Sequence, residues 1–176
     1  MPAAKPKQRT KTVASSKSLQ QPGVYRVAAI QMASGPNVSA NLSEAERLIE
    51  SAADQGAKLV VLPEYFALMG MKDTDKVAAR EVEGKGPIQK FLSNTARKYA
   101  IWLVGGSIPL QASVAGKVRN TCLVFDDKGK QVARYDKMHL FGLDLGNEKY
   151  HEETTIEPGD RVVVLASPFG KIGLSI

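Results

Sequence analysis

Hydrophobic positions along the chain alternate between two spacings, one typical of buried strands and the other of amphipathic helices. Apolar runs of strand length occupy residues 25–31, 57–62 and 101–108. Between these runs, apolar residues recur on one helical face over 42–52 and again over 88–99. This order of strand, helix, strand, helix and strand predicts an α/β fold in which helices cover a sheet.

Capping signals predict where the two helices begin and end. Asn41 and Glu44 have the spacing of a capping box at the start of the first helix. Gly56 can adopt the left-handed conformation that ends this helix. Pro87 suits the first position of the second helix, which the apolar stripe extends to Tyr99.

The second half of the chain changes to pairs of strands. Residues 120–125 and 130–135 flank a turn ending in Gly129, and this pattern is typical of a hairpin. A similar pair, 161–166 and 171–176, flanks a turn at 167–170. The last of these runs, 171–176, is predicted to be a buried strand.

Charge is concentrated in the first residues of the chain. The formal net charge is +6, but five cations and no acid lie in the first 22 residues: Lys5, Lys7, Arg9, Lys11 and Lys17. Removing these five charges leaves a net charge of +1 for the rest, so composition does not support a basic groove for nucleic acid. Few large apolar residues occur before Val24, and we expect 1–23 to be a disordered basic tail ahead of one domain at 24–176.

Composition also bears on location. We find neither the apolar stretch of a secretory signal nor a run of the roughly 18 to 20 apolar residues needed to span a membrane. A single cysteine excludes an internal disulfide and favours a reducing compartment. A cytoplasmic protein is therefore expected, with organellar import through the basic tail as the alternative.

Two polar residues follow apolar strands, where α/β folds place ligand sites. Glu64 comes after the run 57–62, and Lys137 comes after the run 130–135. A carboxylate in such a place suits a general base, and an ammonium suits stabilisation of an oxyanion in acyl transfer. Taken singly, each also fits a structural role, as a surface glutamate or as a lysine paired with Asp136.

Other polar residues give weaker signals. Glu152 lies in a charged loop and by itself fits a solvated residue. The two histidines, His139 and His151, lack a ligand set at metal spacing, so we expect no metal or cofactor and a packed, hydrogen-bonded His139. Cys122 lies within an apolar strand with nothing nearby to stabilise a thiolate, and this predicts an inert core residue.

Four segments in combination resemble the nitrilase (carbon-nitrogen hydrolase) superfamily over residues 24–176. They are 62–64 (LPE), 105–109 (GGSIP) with 120–121 (NT), 137–141 (KMHLF), and Glu152 with 158–159 (PG). The resemblance implies a four-layer α-β-β-α sandwich. It also implies that Glu64 is the general base, that Lys137 stabilises the oxyanion, and that Glu152 is the second glutamate that positions substrate and nucleophile.

The same resemblance implies a reaction and a missing group. Family members hydrolyse small amides through a cysteine thioester, and their cysteine follows a strand similar to 170–176. We therefore expect this sequence to be the N-terminal portion of an amidase, inactive alone, with the nucleophilic cysteine at position 177. The branch that it resembles includes omega-amidases and deaminated-glutathione amidases, which act on carboxamides carrying a carboxylate, and a homodimer is expected at full length. The alternative is a short, non-catalytic relative that binds a partner.

Overall fold

The computed structural model describes residues 23–146 and 148–176, so the predicted tail lies outside the described residues except for Gly23. In chain order its elements are β1 (Val27–Ala29), α1 (Val38–Asp54), β2 (Leu59–Val61), α2 (Asp75–Ala78), α3 (Pro87–Tyr99), β3 (Trp102–Val104), β4 (Ile108–Gln111), β5 (Val118–Phe125), β6 (Gln131–Asp136), β7 (Gly142–Leu145), β8 (Glu148–His151), a 3-10 helix (Glu152–Thr154), β9 (Val163–Ser167) and β10 (Gly170–Leu174). The predicted α/β class is confirmed.

The first six strands form one mixed sheet in the order β1-β2-β3-β5-β4, with β6 also paired to β5. Strands β1, β2 and β3 are parallel. Strand β5 runs antiparallel to both β3 and β6, so two reversals give β6 the same direction as β2. The carboxyl ends of β2, β3 and β6 therefore lie at one edge of the sheet, together with the amino end of β5.

The two faces of this sheet pack against different layers. On one face, Leu103 and Leu123 join residues of α1 and α3 in the larger hydrophobic cluster. Their chain neighbours Val104 and Val124 point the other way and pack with Leu165 and other residues of β9 and β10. This alternation is the period of two that a strand imposes on its side chains. Among the described residues, none of the helices is long and apolar enough to cross a bilayer.

The predicted start of the first helix is wrong. Helix α1 begins at Val38, and its cap is Asn37, whose side-chain oxygen accepts a hydrogen bond from the amide of Ala40 at 3.0 Å. Asn41 is buried inside the helix, and its side-chain amide donates to the carbonyl oxygens of Gly35 and Ala67. The second helix has the predicted bounds, and Gly56 has the predicted left-handed conformation, with φ of 85°.

Two strand predictions need correction, and one hairpin was missed. The run 101–108 divides into β3 and β4, because the chain turns sharply at Gly106, which has φ of 54°. The run 171–176 is only partly buried, because its apolar residues Ile172, Leu174 and Ile176 pack on one face while the other three residues are exposed, and β10 ends at Leu174. The hairpin of β7 and β8 was not predicted, because its only alternating apolar residues on β7 are Leu143 and Leu145, and every residue of β7 is exposed.

Candidate active site

Glu64 leaves the sheet just beyond the carboxyl end of β2. The amide of Leu62 donates to the carbonyl oxygen of Val104, and the amide of Tyr65 donates to the hydroxyl of Ser107 at 3.0 Å. Tyr65 has φ of 55°, a left-handed conformation that is rare for a residue with a side chain. The segment around Glu64 is thus fixed to the loop that follows β3.

Gly106 allows this close approach. A Cβ atom at this position would overlap the carbonyl oxygen of Pro63, and its φ of 54° already disfavours any other residue. By contrast, Gly116 has φ of 78° but has open space where a Cβ would be placed. Substituting alanine at each glycine therefore separates the free-energy cost of the backbone conformation from the cost of the steric contact with Pro63.

We expect Gly106→Ala to destabilise the protein by about 3 kcal/mol or more, because backbone strain and overpacking add together. Gly116→Ala is the matched control and should cost only about 1 to 2 kcal/mol, the price of a left-handed alanine. Urea unfolding of both variants measures the difference. Equal losses of unfolding free energy would show that the contact with Pro63 has no energetic weight.

Lys137 follows the last residue of β6, at the same edge of the sheet as Glu64. Its amide donates to the carbonyl oxygen of Asn120 at 2.9 Å, and its own carbonyl accepts from the amide of Gly159 at 2.8 Å. A Cβ on Gly159 would overlap the carbonyl oxygen of Asp136, and this explains the glycine after Pro158. The main chain of Lys137 is therefore held on both sides.

Glu152 begins the 3-10 helix after the hairpin of β7 and β8. Its side-chain Oε2 accepts a hydrogen bond from the amide of Phe141 at 2.8 Å, and its own amide donates to the carbonyl of Phe141 at 3.0 Å. The side chain is only 15% exposed, so the interpretation as a solvated loop residue is wrong. The main chain of Phe141, at the base of the hairpin, therefore holds the Glu152 carboxylate in place.

The structure brings Glu64, Lys137 and Glu152 together around one ammonium group. Lys137 Nζ lies 3.0 Å from Glu64 Oε1 and 2.9 Å from Glu152 Oε2. The lysine side chain is 9% exposed, whereas that of Glu64 is 39% exposed. Asp136 does not pair with Lys137, because its carboxylate accepts hydrogen bonds from Arg134 and Thr121 instead.

The electrostatics of this cluster keep two of its groups charged. Burial acts to lower the pKa of Lys137, but the hydrogen bonds to Glu152 and Glu64 outweigh it and raise the pKa above its ordinary value. Burial acts to raise the pKa of Glu152, but hydrogen bonds from Phe141 and Lys137 outweigh it and lower the pKa. At neutral pH the site therefore holds a fixed ammonium beside a fixed carboxylate.

Two residues of the cluster were not assigned from the sequence. Asn120 is buried and donates from Nδ2 to Glu64 Oε1 at 2.8 Å. The hydroxyl of Tyr65 lies 3.2 Å from Glu152 Oε1 and donates to it, while burial, followed by the negative charges of Glu152 and Glu64, raises the tyrosine pKa. A polar residue inside the apolar run of β5 was the available signal for Asn120, and the position directly after Glu64 was the signal for Tyr65.

The remaining candidates lie outside this cluster. Cys122 is buried in β5, and burial raises its thiol pKa to about 12, as the prediction of an inert core residue requires. His139 is exposed, so the prediction that it is packed is wrong. His151 lies 3.0 Å from Asp144 across the hairpin of β7 and β8.

A cleft of about 690 Å³ opens beside Tyr65 and Glu152. Its lining is largely apolar, with Leu68, Met69, Met71 and Phe141, and it includes the cations Lys72 and Lys76. An apolar concavity with a few convergent polar groups is the usual form of a small-molecule site. The arrangement is suited to acyl chemistry at the charged cluster with the rest of a substrate in the cleft.

Comparison with known proteins identifies the family of this chain. The carbon-nitrogen hydrolase family matches residues 26–176, nearly all of the described part of the chain. The chain belongs to this family. The carbon-nitrogen hydrolase chain is 40% identical over 157 residues to the deaminated glutathione amidase of Synechocystis sp., and the match covers 86% of this chain and 57% of that protein. It is 40% identical over 154 residues to the omega-amidase NIT2 of Homo sapiens, covering 86% of this chain and 54% of that protein.

Solved structures of relatives have the same fold. The carbon-nitrogen hydrolase chain superposes with a TM-score of 0.68 on Nit3 of Saccharomyces cerevisiae, a member of branch 10 of the nitrilase superfamily, at 34% identity. That match covers 81% of this chain and 51% of Nit3. The C. elegans NitFhit protein gives a TM-score of 0.71 at 30% identity, over 85% of this chain and 37% of that one. The resemblance to the nitrilase superfamily is confirmed, and the chain spans about half the length of the curated relatives just described.

Proposed function

We propose that the protein containing this chain hydrolyses the C–N bond of a small carboxamide by thiol acyl transfer. The observation that carries the proposal is the cluster of Glu64, Lys137 and Glu152, in which one buried ammonium lies within 3.1 Å of two carboxylates beside a cleft. The names of the relatives, omega-amidase and deaminated glutathione amidase, support a carboxamide that also carries a carboxylate.

Lys137 stabilises the oxyanion in this proposal. An ammonium has three N–H donors, and among the described residues Glu64 and Glu152 are the two groups that accept from them. A third donor can therefore point at the oxygen of a tetrahedral intermediate. Because burial and its two partners hold the lysine in place, the charge is arranged before the reaction begins.

Glu64 transfers the protons. It accepts the proton of a cysteine thiol as the sulfur attacks the amide carbon, and it returns that proton to the nitrogen as the C–N bond breaks and ammonia leaves. In the second half, Glu64 takes a proton from the water that attacks the thioester and gives it to the departing sulfur. The partial exposure of its side chain, 39%, is consistent with access for both substrate and water.

The nucleophile of the proposal is a cysteine outside residues 1–176. Cys122 is the only cysteine in this sequence, and it is unsuited to the reaction because it is buried and its thiol pKa is raised to about 12. Residues 1–176 then supply Glu64 as the base, Lys137 as the oxyanion donor and Glu152 as the group that positions them. Residues 1–176 alone are proposed to be inactive.

The test compares two proteins: residues 1–176 alone, and the same residues extended by the segment that corresponds to the second half of the relatives. We expect ammonia release from aliphatic primary amides, and an acyl-enzyme mass after acid quench, only for the extended protein. Ammonia release by residues 1–176 alone would refute the external nucleophile. A folded extended protein that released no ammonia from any amide would refute the amidase assignment and favour a partner-binding role.

A further inference from the structure

Lys76 lies in the cleft beside the charged cluster, on the short helix α2. Its side chain is 17% exposed, so most of this cation is covered by the protein. The ammonium lies 5.8 Å from the centre of the Tyr65 ring, near the outer limit of a cation–π contact. The hydroxyl of the same tyrosine donates to Glu152. Tyr65 therefore contacts the charged cluster through its hydroxyl and Lys76 through its ring.

The polar partners of Lys76 compensate its charge only weakly. Within the described part of the chain they are Thr155 Oγ1 at 3.4 Å and Asp73 Oδ1 at 3.5 Å. Threonine is neutral, and the Asp73 side chain is 77% exposed, where solvent screens its charge. A covered cation with such partners retains the capacity to bind an anion, because a closer carboxylate would replace two long contacts with a charge-assisted hydrogen bond.

The cleft carries charges of both signs. The carboxylate of Glu152, which accepts a hydrogen bond from Lys137, lines the cleft and repels an anion but not a neutral amide. Two cations also line the cleft, and Lys76 is the covered one, whereas Lys72 is exposed. Apolar side chains line the same cleft. A substrate with an amide at one end, an apolar linker and an anion at the other therefore offers a complementary group to each.

We propose that Lys76 is a specificity-determining residue that binds the anionic group of the substrate and so orients its amide towards Glu64 and Lys137. This inference rests on the proposed amidase function. It assigns Lys76 to substrate binding rather than to support of Tyr65. The two roles differ in their consequences, because support of Tyr65 affects every amide equally, whereas an anion contact affects only substrates that carry the anion.

The test uses the extended protein and two amides of matched length. Glutaramate carries a carboxylate opposite its amide, and valeramide has a methyl group in its place. We expect Lys76→Met to lower kcat/KM for glutaramate by about 10- to 100-fold, the usual range for loss of a hydrogen bond to a charged group, with most of the change in KM. The value for valeramide should be unchanged, so valeramide also reports whether the variant is folded.

Two further variants complete the design. Lys76→Arg keeps the charge and should retain most of the preference for glutaramate. Lys90→Met removes an exposed cation on α3, away from the cleft, and should leave both substrates unaffected. Equal losses for glutaramate and valeramide in Lys76→Met, or an unchanged preference, would overturn the role of Lys76 while leaving the amidase proposal intact. Absence of activity on both amides in the unmodified protein would instead overturn the amidase proposal itself.

Discussion

Replacing Glu64 with glutamine should lower kcat of the extended protein by about 10³-fold, within the range that a positioned general acid–base contributes. Glutamine keeps the size of the side chain and can still accept a hydrogen bond from Lys137, now 3.0 Å from Glu64 Oε1. It cannot carry a proton between sulfur, nitrogen and water. The loss should therefore be in kcat, measured as the rate of ammonia release at saturating amide.

The control for this variant is Glu46→Gln on the surface of α1. Glu46 accepts a hydrogen bond from Lys98 at 2.8 Å, so the substitution Glu46→Gln removes a comparable carboxylate–ammonium contact far from the cleft. We expect its kcat to match that of the unmodified protein. If Glu64→Gln kept a tenth or more of the activity while remaining folded, another group would have to be the general base.

Replacing Lys137 with methionine should lower kcat by about 10²- to 10³-fold, the range found for loss of one oxyanion-hole donor. It should also lower the free energy of unfolding at pH 7 by about 2 kcal/mol, since Glu152 loses its ammonium partner in a mostly buried place. The contact with Glu64, the second partner, adds little to this loss because the Glu64 side chain is 39% exposed and screened by solvent.

The stability of this variant should depend on pH in a defined direction. In the unmodified protein the pKa of Glu152 is lowered from its ordinary 4.5, so the stability it contributes is present above that pH and is lost as the pH falls through the lowered value. Without the lysine, the hydrogen bonds from Phe141 and Tyr65 remain, but the pKa of Glu152 is lowered less than in the unmodified protein. The stability gap between the two proteins should therefore narrow as the pH falls to 4.5 and below.

Urea unfolding between pH 4 and pH 7 measures this gap. Lys98→Met is the matched control, because it removes an ion pair to Glu46 in which both side chains are well exposed, and it should change stability by less than about 1 kcal/mol at every pH. A gap for Lys137→Met that stays constant or widens on acidification would contradict the assigned coupling between Lys137 and Glu152.

The sequence was sufficient to predict the α/β class and the position of Glu64 and Lys137 because both depend on local pattern. Each residue follows an apolar strand, and strand direction decides which edge of the sheet it reaches. Their proximity across 73 positions of sequence could be seen only from the sheet topology. Strand β5 is antiparallel to β3, and β6 is antiparallel to β5, so β6 runs parallel to β2. Resemblance to a family, not periodicity, supplied the expected roles.

Features that depend on tertiary contact were not predictable in this way. Asn41 with Glu44 has the spacing of a capping box, but the hydrogen bonds from Asn41 to the carbonyls of Gly35 and Ala67 place it inside the helix, and Asn37 is the cap. Tyr65 has a left-handed backbone conformation and its ring lies near Lys76, and the sequence around Tyr65 predicts neither feature. The exposed strand β7 carries only two alternating leucines, Leu143 and Leu145, and this pattern is too short to identify a strand.

The double reversal of direction through β5 and β6 has a consequence for the changes of length that this chain can tolerate. Strands β3 and β5 lie between β2 and β6, so the position of Glu64 relative to Lys137 depends on the pairing and register of these strands rather than on the number of residues that connect them. Changes of length in connections that carry neither Glu64 nor the contact of Gly106 with Pro63 are therefore expected to leave the charged pair in place. The lengths of those connections can change while Glu64 and Lys137 keep their relative position.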